Sequence, residues 1–286
     1  MDDLSEPMTS PQRRSLAIVL GTNEIASAVA ARLAREGYCV VMSHDPTSPV
    51  LRRGMSFHDA LFDDRAELGG VVGRRAETAL DLLRLFDQRG CVAVTRLPMA
   101  DLVTLRVPEA IVDASLQRSV AAPDLRGLAR LSVGLGPRFE AGRNCDVAIE
   151  TQPATSSLSL SRDAEGHERQ LGGVGRERFF FAPRSGIWRT PLDIGAKIYK
   201  GVVLGRQEGV AIVATMDGIL RGVARDGAYA PIDAKLIEID PRGRAACWTG
   251  TDDYGRAIAA ATADAVIAAS EPPNGADQSF ELEPLC

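Results

Sequence analysis

Hydrophobic and polar positions alternate in a regular way along the first part of the chain. Residues 16–20 form a continuous apolar run, which is typical of a strand covered on both faces of a sheet. Residues 24–35 then place apolar side chains four positions apart, which predicts an amphipathic helix that Gly37 ends. Residues 38–42 form the next apolar run. The chain is therefore predicted to open as strand, tight turn, helix and strand.

The same alternation continues to about residue 150. The pattern predicts an amphipathic helix at 76–89 and further strands at 91–94, 110–113, 131–135 and 145–150. Alternating strands and helices are typical of a mostly parallel sheet. We therefore predict a Rossmann-like α/β domain over residues 15–152. Ligands of such sheets bind at the carboxyl ends of the strands.

The residues directly after the predicted strands are the candidate cofactor-binding residues. They are Gly21, Thr22, Asn23, Asp45, Asp113, Gly134 and Gly136. A dinucleotide fold usually has Gly-x-Gly-x-x-Gly in its first turn, because the second glycine lets the backbone approach a pyrophosphate. Asn23 and Ala26 occupy the second and third glycine positions in this sequence. Two interpretations stay open: a nucleotide site, or a Gly21 that only turns the chain and an Asp45 that only caps the next segment.

The second part of the chain contains one segment twice. Residues 182–187 return as residues 214–219, and Arg189, Gly195 and Leu204 have counterparts at the same spacing of 32 residues. Branched apolar residues and turn glycines within each copy favour short strands. One copy cannot bury both faces of so small a sheet, so the two copies are predicted to pack on each other. We expect a flattened β barrel of two interlocked hammerheads over residues 179–247.

This duplicated pattern resembles the barrel-sandwich hybrid domain of biotinyl and lipoyl carriers. In those carriers a hairpin between the copies holds the modified lysine. The connecting residues 206–210 are shorter and contain no lysine. The resemblance therefore implies the fold without a lipoyl or biotin group.

The remaining segments complete the predicted organisation. A disordered leader is expected over residues 1–14 and a polar linker over residues 153–178. A C-terminal helix is expected over residues 248–270, with Asp252 or Asp253 as its cap, packed back on the α/β domain. Residues 271–286 are expected to be a disordered tail.

Charge and cysteine content narrow the classes of partner. A net charge of −5, with arginines interspersed among carboxylates, gives no reason to expect nucleic acid. Five cysteines without a metal-binding spacing indicate reduced thiols in a cytoplasmic protein, and no metal site is predicted. No run of residues predicts a signal peptide or a membrane span. His58 is predicted to be a surface histidine, because its neighbour Asp59 would not face it on a helix.

Several short motifs occur in a fixed order along the chain. They are Val133-Gly-Leu-Gly-Pro137, Gly142-x-x-Cys145 with Glu150-Thr151, the duplicated segment, Ile239-Asp240-Pro241-Arg242 and Arg256-Ala257-Ile258. Together they resemble the selenium-dependent molybdenum hydroxylase accessory family, which is related in role to xanthine dehydrogenase accessory proteins. The resemblance implies family-motif positions at Cys145, Glu150, Asp240, Arg242, Cys247 and Arg256, in addition to the two glycines of the first motif.

That resemblance implies an accessory factor that helps mature a molybdenum hydroxylase by modifying, binding or delivering the molybdenum cofactor. The expected partner is the hydroxylase or a cofactor-biosynthesis protein, with a homo-oligomer as a further expected assembly. Cys145 or Cys247 could serve as a thiolate ligand or sulfur acceptor, or both could be small core residues. The opening turn Gly21-Thr22-Asn23-Glu24 departs from the Gly-Gly-Gly-Asp of the family. Two other functions stay open: an NAD(P)-dependent oxidoreductase, and an assembly scaffold without a ligand.

Overall fold

A computed structural model describes residues 14–117, 121–151 and 171–270 of the chain. The predicted leader, apart from Arg14, and the predicted tail lie outside the described residues. So does most of the predicted linker. No helix in the described part of the chain is long and apolar enough to cross a membrane.

The first part of the chain alternates strands and helices. Its elements are β1 (Leu16–Leu20), α1 (Glu24–Arg35), β2 (Cys39–Ser43), α2 (Ala60–Asp63), β3 (Arg65–Leu68), β4 (Val71–Ala76), α3 (Ala79–Phe86), β5 (Cys91–Thr95), α4 (Met99–Leu105), β6 (Ala110–Asp113), β7 (Leu131–Leu135) and β8 (Val147–Ile149). A 3-10 turn at Arg53–Met55 lies between β2 and α2. These elements form one α/β unit.

The eight strands form one sheet in the order β3-β4-β5-β2-β1-β6-β7-β8. All neighbouring strands are parallel except β3, which pairs antiparallel with β4. The predicted α/β fold with a mostly parallel sheet is confirmed. Strands β2 to β5 lie on one side of β1 in the sheet, and β6 to β8 lie on its other side. The carboxyl ends of β1 and β6 therefore flank the topological switch point, where open α/β sheets bind ligands.

The second part of the chain is made of short strands and one long helix. Its elements are β9 (Phe179–Phe181), β10 (Gly186–Arg189), β11 (Lys197–Ile198), β12 (Val203–Gln207), β13 (Val210–Val213), β14 (Gly218–Val223), β15 (Tyr229–Ala230), β16 (Lys235–Asp240) and α5 (Asp253–Ser270). Short 3-10 turns lie at Arg176–Arg178 and Gly243–Ala245. The strands form two four-stranded sheets, β13-β12-β10-β15 and β11-β14-β16-β9.

The sequence repeat corresponds to repeated strands. β10, β11 and β12 of the first copy have β14, β15 and β16 as their counterparts, with the register of the sequence repeat. The copies exchange strands, because β10 pairs with β15 and β14 pairs with β11. Each copy thus depends on the other for a hydrogen-bonding neighbour. We call this region the β unit.

Alternate residues of the parallel strands face two separate cores. On one face of the sheet, Val19 and Val40 pack with α1 and with α5, in a cluster that includes Val29 and Ile258. On the other face, Ile18 packs with α3 and α4. The predicted packing of the C-terminal helix on the α/β unit is thereby confirmed. Asp252 caps this helix, since its Oδ1 accepts a hydrogen bond of 2.9 Å from the amide of Gly255.

The edge hairpin β3–β4 was not predicted from the sequence. Its strand β3 is rich in charged and exposed residues, as edge strands often are, and it shows no apolar alternation. The hairpin turns at Gly69-Gly70, where both residues have positive φ. The helix predicted at 76–89 is shorter and spans Ala79–Phe86, because Ala76 still belongs to β4 and Thr78 caps the helix.

Candidate functional site

A cleft of about 450 Å³ lies at the switch point, between the carboxyl ends of the central strands and the β unit. An adjoining compartment of about 310 Å³ shares four lining residues with it. The shared residues are Gly21, Asp45, Ser115 and Gln117. We call the two compartments together the switch-point cleft, with a main compartment facing the β unit and a side compartment facing the start of α4.

The turn after β1 forms the floor of the cleft. Gly21 has φ of +102°, and a Cβ at this position would lie 3.0 Å from the carbonyl oxygen of Ala114. The Nδ2 group of Asn23 donates a hydrogen bond of 2.8 Å to that same oxygen. The turn after β1 is therefore pressed against the loop after β6, and only glycine fits at the point of contact.

The amino end of α1 is already occupied by its own cap. Oδ1 of Asn23 accepts hydrogen bonds from the amides of Ile25 at 2.9 Å and Ala26 at 3.0 Å. In dinucleotide-binding folds the corresponding amides face a pyrophosphate. The carboxylate of Glu24 in the first turn adds a negative charge at the same place. A pyrophosphate in the usual position would have to displace Asn23 and approach that carboxylate.

Two predicted acids lie at the cleft. Asp45 follows β2 and lines both compartments, and its Oδ1 accepts hydrogen bonds from the amide and hydroxyl of Thr47 at 2.9 and 2.7 Å. Asp113 ends β6 and is buried beside the side compartment. Its Oδ1 accepts from the amide and hydroxyl of Ser115 at 2.9 and 2.6 Å. The guanidinium of Arg138 lies 3.8 Å from its other oxygen.

The two remaining predicted glycines have packing roles. A Cβ on Gly134 would lie 2.0 Å from Cγ of Phe139, so the absence of a side chain makes room for that ring. Gly136 has φ of +96° at the end of β7 and lies beside Thr151. Neither glycine lines the switch-point cleft.

Thr22 was predicted to be a cofactor-binding residue and lies at the cleft, but its cluster with two histidines was not predicted from the sequence. Oγ1 of Thr22 lies 3.1 Å from Nδ1 of His44 and 2.9 Å from Nδ1 of His58. The two imidazole rings are 5.1 Å apart between centroids. Thr22 lines the main compartment and His44 lines the side compartment. The sequence did contain a signal for two members of the cluster. Thr22 directly follows Gly21, the turn glycine after β1, and His44 directly follows the end of β2.

The predicted surface position of His58 is wrong. Its side chain is buried, with 5% of the residue exposed. His58 precedes α2 and does not lie on an exposed helix. Its ring packs against the ring of Phe62, with the centroids 5.4 Å apart. Burial lowers the pKa of His58 to about 3, and the nearby His44 and arginines add to this effect. Burial, together with Arg96, also lowers the pKa of His44.

The family-motif residues fall into two groups. Cys145 is fully buried in the core beside Phe139, and burial raises the pKa of its thiol, while Glu150 is exposed. The others lie near a separate pocket of about 280 Å³ that Arg242, Cys247 and Arg256 help to line. No group of three or more histidine, cysteine, aspartate or glutamate side chains suits a metal ion within residues 14–117, 121–151 and 171–270.

This second pocket is backed by a buried cluster of charges. The carboxylate of Glu238 lies 2.7 Å from Nε of Arg52, 3.2 Å from Nε of Arg178 and 3.7 Å from Nε of Arg221. Burial favours the protonated acid, but Arg52 and the other two arginines outweigh it and hold the pKa of Glu238 at about 2. Asp240 is likewise buried and pairs with Arg242 at 2.6 Å. We call these residues the arginine cluster.

Comparisons with known proteins give few relatives. No family model matches the chain. The chain is 29% identical over 262 residues to an uncharacterized protein, YqeB, of Escherichia coli (strain K12), in a match covering 90% of this chain and 48% of that protein. The chain thus spans about half the length of the curated relative that it matches.

The solved structures that resemble the chain are distant. They include an aspartoacylase family protein from Mesorhizobium loti at 12% identity and a TM-score of 0.23, covering 80% of this chain and 85% of that one. The ectoine utilization protein EutE from Ruegeria pomeroyi matches at 14% identity and a TM-score of 0.24, covering 79% of this chain and 85% of that one. A succinylglutamatedesuccinylase/aspartoacylase from Rhodobacter sphaeroides matches at 11% identity and a TM-score of 0.23, again covering 79% of this chain and 85% of that one. Scores this low do not carry an activity over to this chain.

The predicted membership of the molybdenum hydroxylase accessory family is wrong. No family model matches the chain, the curated relative is described only as uncharacterized, and neither it nor the solved structures named above are described in connection with molybdenum. The predicted maturation role and the predicted molybdenum cofactor fail with it. Packing accounts for Gly134 and Cys145, and a buried ion pair accounts for Asp240 with Arg242. The oxidoreductase and scaffold alternatives gain no support from these comparisons.

Proposed function

We propose that this chain binds a small polar organic molecule in the switch-point cleft. The observation that carries the proposal is the position of the cleft, at the carboxyl ends of β1 and β6 where the strand order reverses. Its main compartment has a volume of about 450 Å³, which suits a small-molecule ligand. Polar groups converge on it from three loops of the α/β unit and from the β unit.

The charges of the main compartment favour a ligand without a pyrophosphate. Its described lining carries the acids Glu24, Asp45, Asp233 and Glu238 and the cations Arg52 and Lys235. Arg52 is paired with Glu24 at 3.0 Å and with Glu238 at 2.7 Å. Glu238 is also paired with Arg178 and Arg221, so Asp45 rather than Glu238 is the carboxylate offered to a ligand. Asp45, together with the capped amino end of α1, suits a ligand that presents hydroxyl or amino donors. A nucleoside has this chemistry.

Asp45 is the residue we assign to ligand hydroxyls. It follows β2, the place where an acid contacts a ribose in dinucleotide-binding folds, and it lies where the two compartments meet. A carboxylate that accepts two hydroxyl donors would fix the orientation of the ligand. This role makes the sequence-based prediction for Asp45 more specific. It does not require a pyrophosphate at the amino end of α1, where Asn23 already caps the amides.

Calorimetric titration with nucleosides and the matching nucleoside diphosphates tests the proposal. We expect nucleosides to bind more tightly than their diphosphates. Asp45→Asn should weaken binding about tenfold or more, because hydrogen bonds to charged groups contribute about 1.5–3 kcal/mol. The control is Asp264→Asn, an acid exposed on α5 that does not line the cleft. Tighter binding of diphosphates, no binding of either class, or equal affinity in both variants would reject the proposal.

We also propose that the β unit is a barrel-sandwich hybrid that closes the cleft. Support comes from the exchanged pairing of β10 with β15 and of β14 with β11, which makes the two copies interdependent. The contact with the α/β unit is direct, since Nε of Arg53 donates a hydrogen bond of 2.9 Å to the carbonyl of Val223. Cytoplasmic location, the absence of nucleic-acid and membrane partners, and homo-oligomer formation stay predictions from the sequence.

A further inference from the structure

The cluster of Thr22, His44 and His58 allows only a few arrangements of hydrogen bonds. Oγ1 of Thr22 lies within hydrogen-bonding distance of Nδ1 of both histidines, at 3.1 Å and 2.9 Å. A hydroxyl carries one proton and can donate to only one of the two nitrogens. At least one of the two Nδ1 atoms must therefore carry a proton and donate to the hydroxyl oxygen. When the hydroxyl donates to the other Nδ1, the two neutral histidines hold opposite tautomers.

One direction of this chain of hydrogen bonds leaves a base at the cleft. In that direction the hydroxyl of Thr22 donates its proton to Nδ1 of His58. Nδ1 of His44 then donates to Thr22, and its Nε2 is left without a proton. His44 lines the side compartment, whereas His58 is buried and lines neither compartment. The unprotonated nitrogen thus belongs to the histidine that a ligand can reach.

Burial and the charges around the cluster disfavour the protonated form of both rings. Arg53, Arg96 and Arg225 disfavour protonation of His58, and Arg96 does the same for His44. Asp45 opposes this at His44, because its carboxylate stabilises an imidazolium. His44 therefore has a carboxylate nearby that favours its protonated form, and that carboxylate is the acid assigned to the ligand.

We propose that His44 is a proton-accepting group toward the bound ligand, with Thr22 and His58 as positioning residues that fix its tautomer. This inference rests on the proposed binding function and assigns a step to the same cleft. A hydroxyl proton of the ligand passes to Nε2 of His44, the electron pair stays on the ligand oxygen, and the imidazole becomes an imidazolium. The imidazolium keeps its Nδ1 proton in the hydrogen bond to Thr22. The substrate class is a small molecule with a hydroxyl group that is activated by loss of its proton.

Nitrogen NMR of the full chain labelled in histidine tests the tautomers directly. The chain has three histidines, so single His44→Gln and His58→Gln variants assign the signals. In the wild type we expect a proton on Nδ1 of His44 and on Nε2 of His58. In Thr22→Val, His44 should lose its fixed tautomer, while Thr22→Ser should keep it. A wild-type His44 protonated on Nε2, or a tautomer unchanged in Thr22→Val, would overturn the proposal.

A chemical probe measures whether Nε2 of His44 is available as a base. Diethyl pyrocarbonate acylates unprotonated imidazole nitrogens, and mass spectrometry locates the label. His44 should react several times faster than His58, and faster in the wild type than in Thr22→Val. Equal rates at His44 in both proteins, with both folded by circular dichroism, would contradict the positioning role. These readouts need no ligand, so a failed nucleoside titration would reject the proposed function without deciding the tautomers.

Discussion

The switch-point cleft and the arginine cluster adjoin each other but bury polar groups in opposite ways. In the arginine cluster, Glu238 is fully buried and lies within 3.7 Å of three guanidiniums. Beside the cleft, the imidazoles of His44 and His58 share a neutral partner, the hydroxyl of Thr22. Arg52 borders both regions.

This difference separates a structural role from a functional one. A buried carboxylate surrounded by guanidiniums is fixed in one charge state, and removing it leaves charges without partners. A neutral histidine beside a cavity can gain or lose a proton when a ligand arrives, which is the property that binding and catalytic sites use. Arg242, paired with the buried Asp240, belongs to the first kind of region. The candidate chemistry belongs to the second.

The largest effect is expected from breaking the arginine cluster. Glu238→Gln removes the carboxylate that three arginines share, so the free energy of unfolding should fall by about 3–5 kcal/mol. Urea unfolding followed by circular dichroism measures the change. The matched control is Glu150→Gln, because Glu150 is exposed and its replacement should change stability by less than about 0.5 kcal/mol. Similar values for the two variants would contradict a structural role for the cluster.

The same carboxylate makes stability depend on pH in a defined direction. The pKa of Glu238 is about 2 in the folded chain, below its ordinary value of 4.5. Its contribution is therefore complete above the ordinary value and is lost as the pH falls from there through about 2. Unfolding midpoints of the wild type should drop over this range, and those of Glu238→Gln should drop less. Parallel curves for the two proteins would show that another group dominates acid unfolding.

A smaller effect is expected at the floor of the cleft. Gly21→Ala places a methyl group 3.0 Å from the carbonyl oxygen of Ala114 at a φ of +102°. Backbone strain of this kind amounts to about 1–3 kcal/mol. The control is Gly37→Ala, which has φ of +91° but no atom within 4 Å of the added carbon. Thermal unfolding should show a larger loss for Gly21→Ala, and equal losses would mean that the close approach of the two loops is unimportant.

The smallest effect on stability is expected at the exposed thiol. Cys247→Ser should leave the unfolding midpoint nearly unchanged, because Cys247 is exposed, whereas Cys145→Ser places a hydroxyl in a fully buried position. Mass spectrometry after brief iodoacetamide treatment should find the label at Cys247 and not at Cys145, whose thiol pKa is raised by burial. Labelling of Cys145 in the folded protein would show that it is not a core residue.

Local features of the fold could be predicted from the sequence. The bounds of α1 follow from the spacing of its apolar residues and its Asn23 cap, and β1, β6 and β7 from continuous apolar runs. The repeat indicated the paired strands of the β unit because similar segments fold alike. The hairpin β3–β4 could not be predicted, because a polar edge strand has no buried face and its sequence therefore lacks an alternation of apolar and polar residues.

The chemistry of the site could be predicted only in part. Gly21, Asp45 and Asp113 were located because they come directly after strands whose carboxyl ends meet at one edge. His58 was missed because it reaches Thr22 from a loop far along the chain, which only the tertiary fold determines. Glu238 did leave a signal, since it is a charged residue inside the apolar strand β16. Such a residue in a buried strand requires partners, and the sequence does not say which arginines supply them.

The most direct test of the central claim is to map a bound nucleoside on the full chain by backbone amide NMR. We expect the amides of Gly21, Asp45, Ser115 and Gln117 to shift together on titration, while those of Arg242 and Cys247 do not move. Asp45→Asn should abolish these shifts at the same nucleoside concentration, and Asp264→Asn should preserve them. Shifts that cluster at the arginine cluster instead, or that survive unchanged in Asp45→Asn, would contradict a ligand site at the switch point.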